Sequence, residues 1–265
     1  MNVHVSMPWS CHSGDMAAVP IPPDQPTAPP ALGRTMAAAL AETLRAQIHS
    51  GQLSPGDRLP NERDLASSVG VGRITVREAI RVLVTDGYLV SKRGNSGGTY
   101  VTDLAAPHQA WLRRIERNPR WIVDLFEYRK AVEMRAAELA AAHRSAGQLE
   151  EMRQAIDEGA TPASRSAFRL ADHRFHVAVA QASGSERLVA AITEARGELF
   201  VPTDQFTFTD HYTQTHDEHT RILDAIAAHD GAAARQAAEQ HLNGSLKDFL
   251  EMVLKIPGAG QSVGP

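Results

Sequence analysis

Residues 58–81 read RLPNERDLASSVGVGRITVREAIR and carry two short helical patterns separated by a glycine-rich turn. Asn61 stands where it can cap the first helix, and Asp64 follows in the first turn, where the helix dipole favours a negative charge. The Gly-Val-Gly sequence at 70–72 ends this pattern, and a second helix is predicted to begin near Arg73. Two short helices joined by a tight turn are typical of a helix-turn-helix.

The second helix of this pair is amphipathic. Its apolar positions recur at helical spacing and are Val76, Ala79, Ile80 and Leu83. This spacing leaves Arg73, Thr75 and Arg77 near the start of the helix and exposed. Arginines and a hydroxyl in that position can reach base edges in a major groove of DNA. An ordinary helical pair with a solvated charged face is the alternative interpretation.

A β-hairpin is predicted directly after the two helices. The β-prone runs at 88–91 and 99–102 are joined by residues 92–98, a basic segment rich in glycine. Such a hairpin is a natural wing for contact with an adjacent groove or phosphate. The wing favours DNA binding over the ordinary helical pair.

Charge is unevenly distributed along the 265 residues. Residues 34–102 hold nine Lys and Arg against six Asp and Glu, whereas residues 103–265 hold 18 against 23, and the net charge of the chain is −4. A basic module on an acidic body fits a DNA-binding domain joined to a domain with another role. The length also favours two domains.

Other features of the composition exclude several classes of protein. No apolar run approaches the ~18 residues of a membrane span, so no membrane partner is expected. The single cysteine, Cys11, rules out an internal disulfide and a cysteine-cluster metal site. Residues 1–33 carry seven prolines, and we expect a disordered tail there rather than a signal peptide. A cytoplasmic location is the resulting expectation.

The N-terminal region resembles the DNA-binding domain of GntR-family regulators. The resemblance rests on 44–60 (LRAQIHSGQLSPGDRLP), 62–66 (ERDLA) and 76–80 (VREAI). It implies that a homodimer binds an operator in double-stranded DNA. The DNA contacts that it implies are Arg63, Arg73, Thr75, Arg77, Arg93 and Gly94. Gly72 stands where the family usually has Ser or Thr, so we expect a helix cap and a phosphate contact to be missing there.

Residues from 108 onward are helical by pattern almost throughout. The predicted helices cover 108–117, 121–143, 147–158, 164–183, 185–199, 213–228 and 231–253. Antiparallel helices of this number form a bundle, and bundle interiors are where such folds place ligands and metals. The predicted fold class is mainly α. It comprises a winged helix-turn-helix domain at 34–102, a linker at 103–107, an all-α antiparallel bundle at 108–255 and a flexible tail at 256–265.

Histidines supply the candidate chemistry of the bundle. Asp172 and His176 are four residues apart and therefore share one face of a helix. His219 and His241 lie on the inward sides of two further predicted helices. Three imidazoles and one carboxylate can meet in one interior site, and this donor set suits zinc, nickel, iron or copper, while the carboxylate also admits manganese. By spacing alone, histidines satisfied within the core remain the alternative.

The bundle resembles the FCD-type effector domain of the FadR subfamily. The resemblance rests on 126–133 (FEYRKAVE), 136–141 (AAELAA), 172–184 (DHRFHVAVAQASG) and 218–226 (EHTRILDAI). It implies a divalent metal ion, with zinc as the first choice. The ligands that it implies are Asp172, His176, His219 and His241. His216 is the rival third ligand, whereas His173 and His211 are expected at the surface.

A small carboxylate or hydroxy acid is the expected effector, because four protein ligands leave two positions open on an octahedral metal. Arg129 corresponds to an arginine that is common in the subfamily, and it is our first candidate for binding the acid. The alternative is an ion pair of Arg129 with Glu133, four residues on, that merely supports the helix.

Together these features predict a ligand-responsive transcription regulator that binds a pseudo-palindromic operator as a dimer. We expect it to act as a repressor. The acid would shift the population between DNA-competent and DNA-incompetent arrangements. A metal sensor, in which the ion itself is the signal, is one rival. A metalloenzyme is the other, since such a site can activate water. We expect no enzyme and no catalytic residues, because no general base stands in a motif and an enzyme has no need of the wing.

Overall fold

The structure, a computed structural model, describes residues 35–94, 97–118, 120–199 and 209–254. Within these ranges the chain forms ten helices and one hairpin of two strands. None of these helices is long and apolar enough to cross a membrane. The predicted disordered tail at 1–33 and the predicted flexible tail at 256–265 lie outside the described ranges.

The N-terminal elements form a winged helix-turn-helix, which confirms the predicted fold. They are α1 (Met36–His49), α2 (Glu62–Val69), α3 (Arg73–Thr85), β1 (Leu89–Lys92) and β2 (Gly98–Val101). The strands pair in antiparallel register, with Leu89 opposite Val101 and Lys92 opposite Gly98. Each strand is displaced by one residue from its predicted run, because pairing across the hairpin, rather than β propensity, determines where a strand ends.

Local capping explains where these helices begin and end. Thr35 caps α1, and Asn61 caps α2 by accepting hydrogen bonds from two backbone N–H groups of its first turn. α2 ends at Gly70, whose φ of 67° lies in the left-handed region that suits glycine. α3 follows Gly72, which offers no side-chain cap, as its sequence position predicts.

The C-terminal part of the described chain is a bundle of seven helices. They are α4 (Ala105–Arg117), α5 (Arg120–His143), α6 (Ala146–Ala160), α7 (Arg165–Ala182), α8 (Glu186–Glu198), α9 (Thr209–Ala227) and α10 (Gly231–Leu254). An all-α bundle after a winged helix-turn-helix is the predicted fold class. The observed bounds differ most for α9, which begins four residues before its predicted start.

The linker predicted at 103–107 is shorter than expected, because α4 already begins at Ala105. The side chain of Asp103 accepts a hydrogen bond from the backbone N–H of Ala105 at 3.1 Å and supports this early start. Pro107 lies in the first turn of α4, where a backbone N–H has no helical acceptor to lose, so the helix accommodates it.

Apolar side chains of the two parts form one continuous core. Buried residues of α1, α2, α3 and the hairpin pack with Trp111 and Ile115 of α4, and with Phe126 of α5 and Phe249 of α10. The rings of Trp111 and Phe249 meet edge to face, with centroids 5.4 Å apart. Each such side chain contributes about 1.5–3 kcal/mol on full burial. The winged helix-turn-helix is therefore packed against the bundle rather than tethered to it.

Candidate metal centre and DNA-binding face

Three histidines from three helices meet inside the bundle. His176 lies on α7, His219 on α9 and His241 on α10, and one ring nitrogen of each lies within 4.8 Å of the others. All three side chains are buried. Phe175 stacks on the ring of His219, with centroids 4.0 Å apart, so the cluster is bordered by the apolar core.

Asp172 joins the three histidines from the preceding turn of α7. Its Oδ1 lies 3.8 Å from Nε2 of His176 and 3.6 Å from Nε2 of His219. Its Oδ2 accepts a hydrogen bond from Nη2 of Arg196 on α8. One carboxylate oxygen therefore faces the imidazoles while the other faces a guanidinium. The structure thus brings together the four residues that were predicted as metal ligands.

Two of the imidazoles each have a carboxylate next to Nδ1, the ring nitrogen that points away from the cluster. Nδ1 of His176 lies 2.6 Å from Oε2 of Glu133, and Nδ1 of His241 lies 2.8 Å from Oε2 of Glu218. An ionised carboxylate only accepts hydrogen bonds, so in a neutral imidazole each Nδ1 carries the proton and each Nε2 keeps a free lone pair. Carboxylates orient metal-binding histidines in this way.

Two of the inward-facing nitrogens lack partners within the described ranges. Nε2 of His176 and Nε2 of His219 are buried and form no hydrogen bond with any described residue. A buried polar atom left unsatisfied costs about 1–3 kcal/mol, so two of them beside one carboxylate are typical of a ligand-binding site. The donor set, with three imidazoles and one carboxylate, fits a divalent cation.

Burial and neighbouring charges favour the protonation states that metal binding requires. Burial and, to a smaller extent, the nearby Arg196 lower the pKa of His176 to about 4, although Glu133 and Asp172 oppose the shift. Burial also lowers the pKa of His219 well below its ordinary value. For Asp172, burial would raise the pKa, but Arg196 and the three imidazoles outweigh this effect and lower it. Neutral imidazoles and an ionised carboxylate are the forms that bind a metal.

Arg129 and Glu133 form a buried ion pair on α5. Nε of Arg129 donates to Oε1 of Glu133 at 2.6 Å, and the guanidinium lies over the ring of Phe126, 4.9 Å from its centroid. The other oxygen of Glu133 faces His176, so the pair borders the candidate metal centre. The ion pair named as the alternative role of Arg129 is therefore present, while its effector contact stays a prediction.

His173 is buried, which corrects the expectation that it lies at the surface. α7 packs against α5, α6 and α8, so helices cover more of its circumference than the apolar pattern indicates. Burial lowers the pKa of His173 to about 3. Nδ1 of His216 lies 3.4 Å from Oδ1 of Asp217. His216 does not belong to the histidine cluster. The side chain of His211 lies outside the described part of the structure.

Sequence reasoning missed three charged side chains at this centre, namely Arg196, Glu133 as a partner of His176, and Glu218. Arg196 lies 24 residues from Asp172, and Glu218 lies 23 residues from His241. No local spacing signals such pairs. For Glu133, the spacing from Arg129 indicated only a helix-supporting pair.

The DNA-binding face presents its predicted contact residues to solvent. The side chains of Arg63 and Arg77 are 81% and 67% exposed. Arg73 and Arg93 are exposed, and Thr75 is half-buried. Arg77 pairs with Glu62 at 2.7 Å, but an exposed pair contributes only about 0–1 kcal/mol and leaves the arginine available for DNA.

Two further features of this face concern its apolar and wing residues. Ile74, which sequence reasoning did not single out, is 78% exposed at the start of α3. An exposed apolar side chain there can contact a thymine methyl group in the major groove. At the wing tip, Gly94 has a φ of 106°, a conformation that favours glycine. Residues 95–96 of the tip lie outside the described ranges.

α8 connects the candidate metal centre with the winged helix-turn-helix. Nδ1 of His49, at the end of α1, donates to the carbonyl oxygen of Gly197, and Nε2 accepts from the hydroxyl of Tyr88 at 2.9 Å. Gly197 packs so closely on α1 that a Cβ in its place would lie 2.7 Å from Cβ of Ala46. Adjacent residues of α8 therefore contact the two regions, with Arg196 in the centre and Gly197 on α1.

Comparisons with known families agree with this architecture. Residues 36–101 match the family described as "Bacterial regulatory proteins, gntR family", and residues 124–244 match the family described as "FCD domain". Both matches fall on the elements just described, the first on the winged helix-turn-helix and the second on the bundle that holds the four clustered residues.

Three relatives match over most of the chain. An Escherichia coli (strain K12) protein, provisionally named as an L-lactate dehydrogenase operon regulatory protein, is 30% identical over 80% of this chain and 85% of its own length. The HTH-type transcriptional regulator LutR of Bacillus subtilis (strain 168) is 32% identical over 77% and 95%. The galactonate operon transcriptional repressor of Escherichia coli (strain K12) is 30% identical over 79% and 95%.

The chain belongs to the GntR family of transcription regulators and carries an FCD domain. It is a DNA-binding transcription regulator. The matching families and relatives are regulators and not enzymes, which agrees with the expectation from the sequence.

Proposed function

We propose that this regulator controls its operator in response to a small organic acid bound at a metal centre. The proposed ligands are Asp172, His176, His219 and His241. The observation that carries the proposal is the pair of buried Nε2 atoms, on His176 and His219, that no described residue satisfies. Zinc is the first choice of ion, and nickel, manganese and iron are the alternatives.

The protein prepares the site for an ion through its own residues. Glu133 and Glu218 face the outer nitrogens of His176 and His241 and favour a proton there. Burial also lowers the pKa of His176, which favours its neutral form. A divalent ion bound by these residues supplies a Lewis-acidic centre for oxygen donors. Because these residues would hold the ion through only four donor atoms, a carboxylate or a hydroxy acid could supply further oxygen donors.

The names of two relatives support this class of effector. One name refers to an L-lactate dehydrogenase operon and the other to a galactonate operon. Lactate and galactonate are both hydroxy acids with a single carboxylate. The second relative is named a repressor, which supports repression that the acid releases.

Operator binding by a homodimer is the second part of the proposal. α3 would enter the major groove, and the wing would lie at an adjacent groove or phosphate. The proposed contacts are Arg63, Arg73, Thr75, Arg77, Arg93 and Gly94. Two copies of the chain would bind the two halves of a pseudo-palindrome, as the symmetry of a dimer requires.

The contact between α8 and α1 offers a route from the acid to the DNA. His49 bonds to Gly197, and Gly197 follows the residue that bonds to Asp172. An acid acts through this route only if it binds one arrangement of the two domains more tightly than the other.

Operator selection followed by release tests the proposal. The metal-loaded protein is incubated with fragments of its own genome, and a retained palindrome becomes the probe. We expect L-lactate, D-galactonate or another hydroxy acid to release this probe from metal-loaded protein and not from chelator-treated protein. Control by the ion with no response to any acid would support the metal sensor instead. No enriched fragment, with or without divalent metal, would contradict the assigned DNA contacts.

A further inference from the structure

We infer that Arg196 is the residue that binds the carboxylate of the effector at the metal centre. The inference rests on the proposed function, because it assigns the group that would recognise the acid proposed there. Arg196 would be a second buried arginine in this role, besides Arg129, which was predicted from the sequence to bind the acid.

Arg196 is a buried cation with an unused hydrogen-bond donor. It lies in the last turn of α8, and its side chain is 9% exposed. Nη2 donates to Asp172, and Nη1 lies 4.0 Å from Oε2 of Glu133. Nε is buried and has no hydrogen-bond partner among the described residues. An unsatisfied N–H of a buried charged group is costly, so an anionic acceptor placed there would be favoured.

The two buried arginines differ in which nitrogen is engaged. Nε of Arg129 already donates to Glu133 at 2.6 Å. Nε of Arg196 has no partner among the residues that the structure describes, and Nη2 beside it has a second hydrogen after donating to Asp172. Two parallel N–H donors on one side of a guanidinium are the arrangement that binds a carboxylate through two hydrogen bonds. Within the described part of the chain, the Nε donor of this edge is unused in Arg196 and is used in Arg129.

The charges around the centre favour an acid with a single carboxylate. Asp172, Glu133 and Glu218 are negative, and Arg129 and Arg196 are positive, so these side chains carry one net negative charge. A divalent ion changes this balance to one net positive charge. Buried charge is costly unless it is paired. A monocarboxylate bound to Arg196 would neutralise the site.

Calorimetric titration of the metal-loaded, full-length protein tests this assignment. The probes are L-lactate, D-galactonate, the dicarboxylate malate and the neutral amide lactamide. Arg196→Gln removes both the charge and the two-donor edge, while Arg196→Lys keeps only the charge. Arg187→Gln, at an exposed position of α8, is the matched control.

We expect Arg196→Gln to bind the preferred acid about 10- to 100-fold more weakly, since it loses a charge-assisted pair of hydrogen bonds. It should also lose the preference for acid over amide, which a purely structural role would not change. Arg196→Lys should restore part of the affinity, and Arg187→Gln should match the wild type. If Arg196→Gln does not fold, Arg196→Lys is used instead, and its affinity for the acid should be about 10-fold lower than that of the wild type.

The remaining outcomes separate this inference from the proposed function. Unchanged acid affinity in Arg196→Gln or Arg196→Lys overturns the inference and leaves acid control intact. Loss of bound metal from Arg196→Gln, measured by elemental analysis, means that Arg196 only positions Asp172, and this also overturns it. If no probe binds the metal-loaded wild type, the proposed acid effector itself fails, and the inference fails with it.

Discussion

The DNA-binding face and the proposed metal centre place the same kinds of charged side chain in opposite surroundings. On the face, the guanidinium of Arg77 pairs with Glu62 in solvent, and such a pair contributes about 0–1 kcal/mol. In the centre, Arg129 and Glu133 pair out of contact with water, and removal of one partner from such a pair costs about 3–5 kcal/mol. An exposed arginine can therefore exchange its partner for a phosphate or a base, whereas a buried one maintains the site.

This difference separates the expected effects of mutations. Variants of the face should change DNA binding without changing stability. Variants of the centre should change metal content and stability together. A variant of the face that lowers stability, or a variant of the centre that changes neither metal content nor stability, would contradict this distinction.

The largest effect is expected from His176→Ala in the centre. The variant loses an imidazole that faces two other histidines and Asp172, so bound metal should fall from about one ion per chain to near zero. The stabilisation that an ion supplies, about 2.7 kcal/mol at 100 times its Kd, should disappear with it. Elemental analysis and thermal unfolding with and without metal measure the two quantities.

His216→Ala is the matched control for this substitution. His216 lies beside Asp217 and outside the histidine cluster, so its loss should leave metal content unchanged. Full metal content in His176→Ala would refute the assigned centre. Metal loss in both variants would point to the rival ligand set that includes His216.

On the face, Arg73→Ala should weaken specific operator binding by about 1–3 kcal/mol if the side chain reaches a base edge. The melting temperature should stay the same, because Arg73 is exposed. Fluorescence anisotropy with the selected operator and with an unrelated duplex measures the loss of specificity. Arg153→Ala, an exposed arginine on α6, is the control. Wild-type affinity for the operator would contradict the contact.

The contact between the two regions should weaken in acid. Burial lowers the pKa of His49 to about 4, although the hydrogen bond to Gly197 opposes the shift. The unfolded chain, with an ordinary pKa near 6.5, then binds more protons than the folded chain between these two values. The free energy of unfolding therefore falls as the pH is lowered through this window, by about 2 kcal/mol between pH 7 and pH 5.

His49→Asn isolates this contribution, because asparagine keeps an N–H donor for Gly197 and has no titrating ring. The free energy of unfolding of the variant should decrease less than that of the wild type between pH 7 and pH 5, by about 2 kcal/mol. Chemical denaturation at the two pH values gives the comparison. Equal pH dependence in the two proteins would show that His49 does not contribute.

The smallest effect is expected from Glu218→Gln. Glu218 orients His241 from a half-buried position, and loss of such an outer partner typically costs about 10-fold or more in metal affinity. Because glutamine has nearly the same shape, stability of the metal-free protein should change little. Competition with a metal chelator measures the affinity, with the exposed Glu151→Gln as control. Unchanged affinity would mean that His241 needs no orienting partner.

Features that depend on neighbouring residues could be predicted well. Asn61 caps α2, α3 buries its predicted apolar positions, and Asp172 and His176 share one face of α7. Each follows from interactions within about one helical turn, and helical spacing makes these visible in a sequence. The linker was predicted less well, because α4 begins inside the predicted range, at Ala105, where Asp103 accepts a hydrogen bond from the first turn.

The sequence by itself therefore determined the winged helix-turn-helix, the helical bundle and the candidate metal ligands. Only the tertiary structure decided which charged groups surround those ligands. Arg196 reaches Asp172 across 24 residues, and Glu218 reaches His241 across 23. It also decided that His173 is buried and that Gly197 contacts α1. Contacts of this kind arise from how helices pack against one another. The apolar periodicity of one helix does not indicate which other helices contact it.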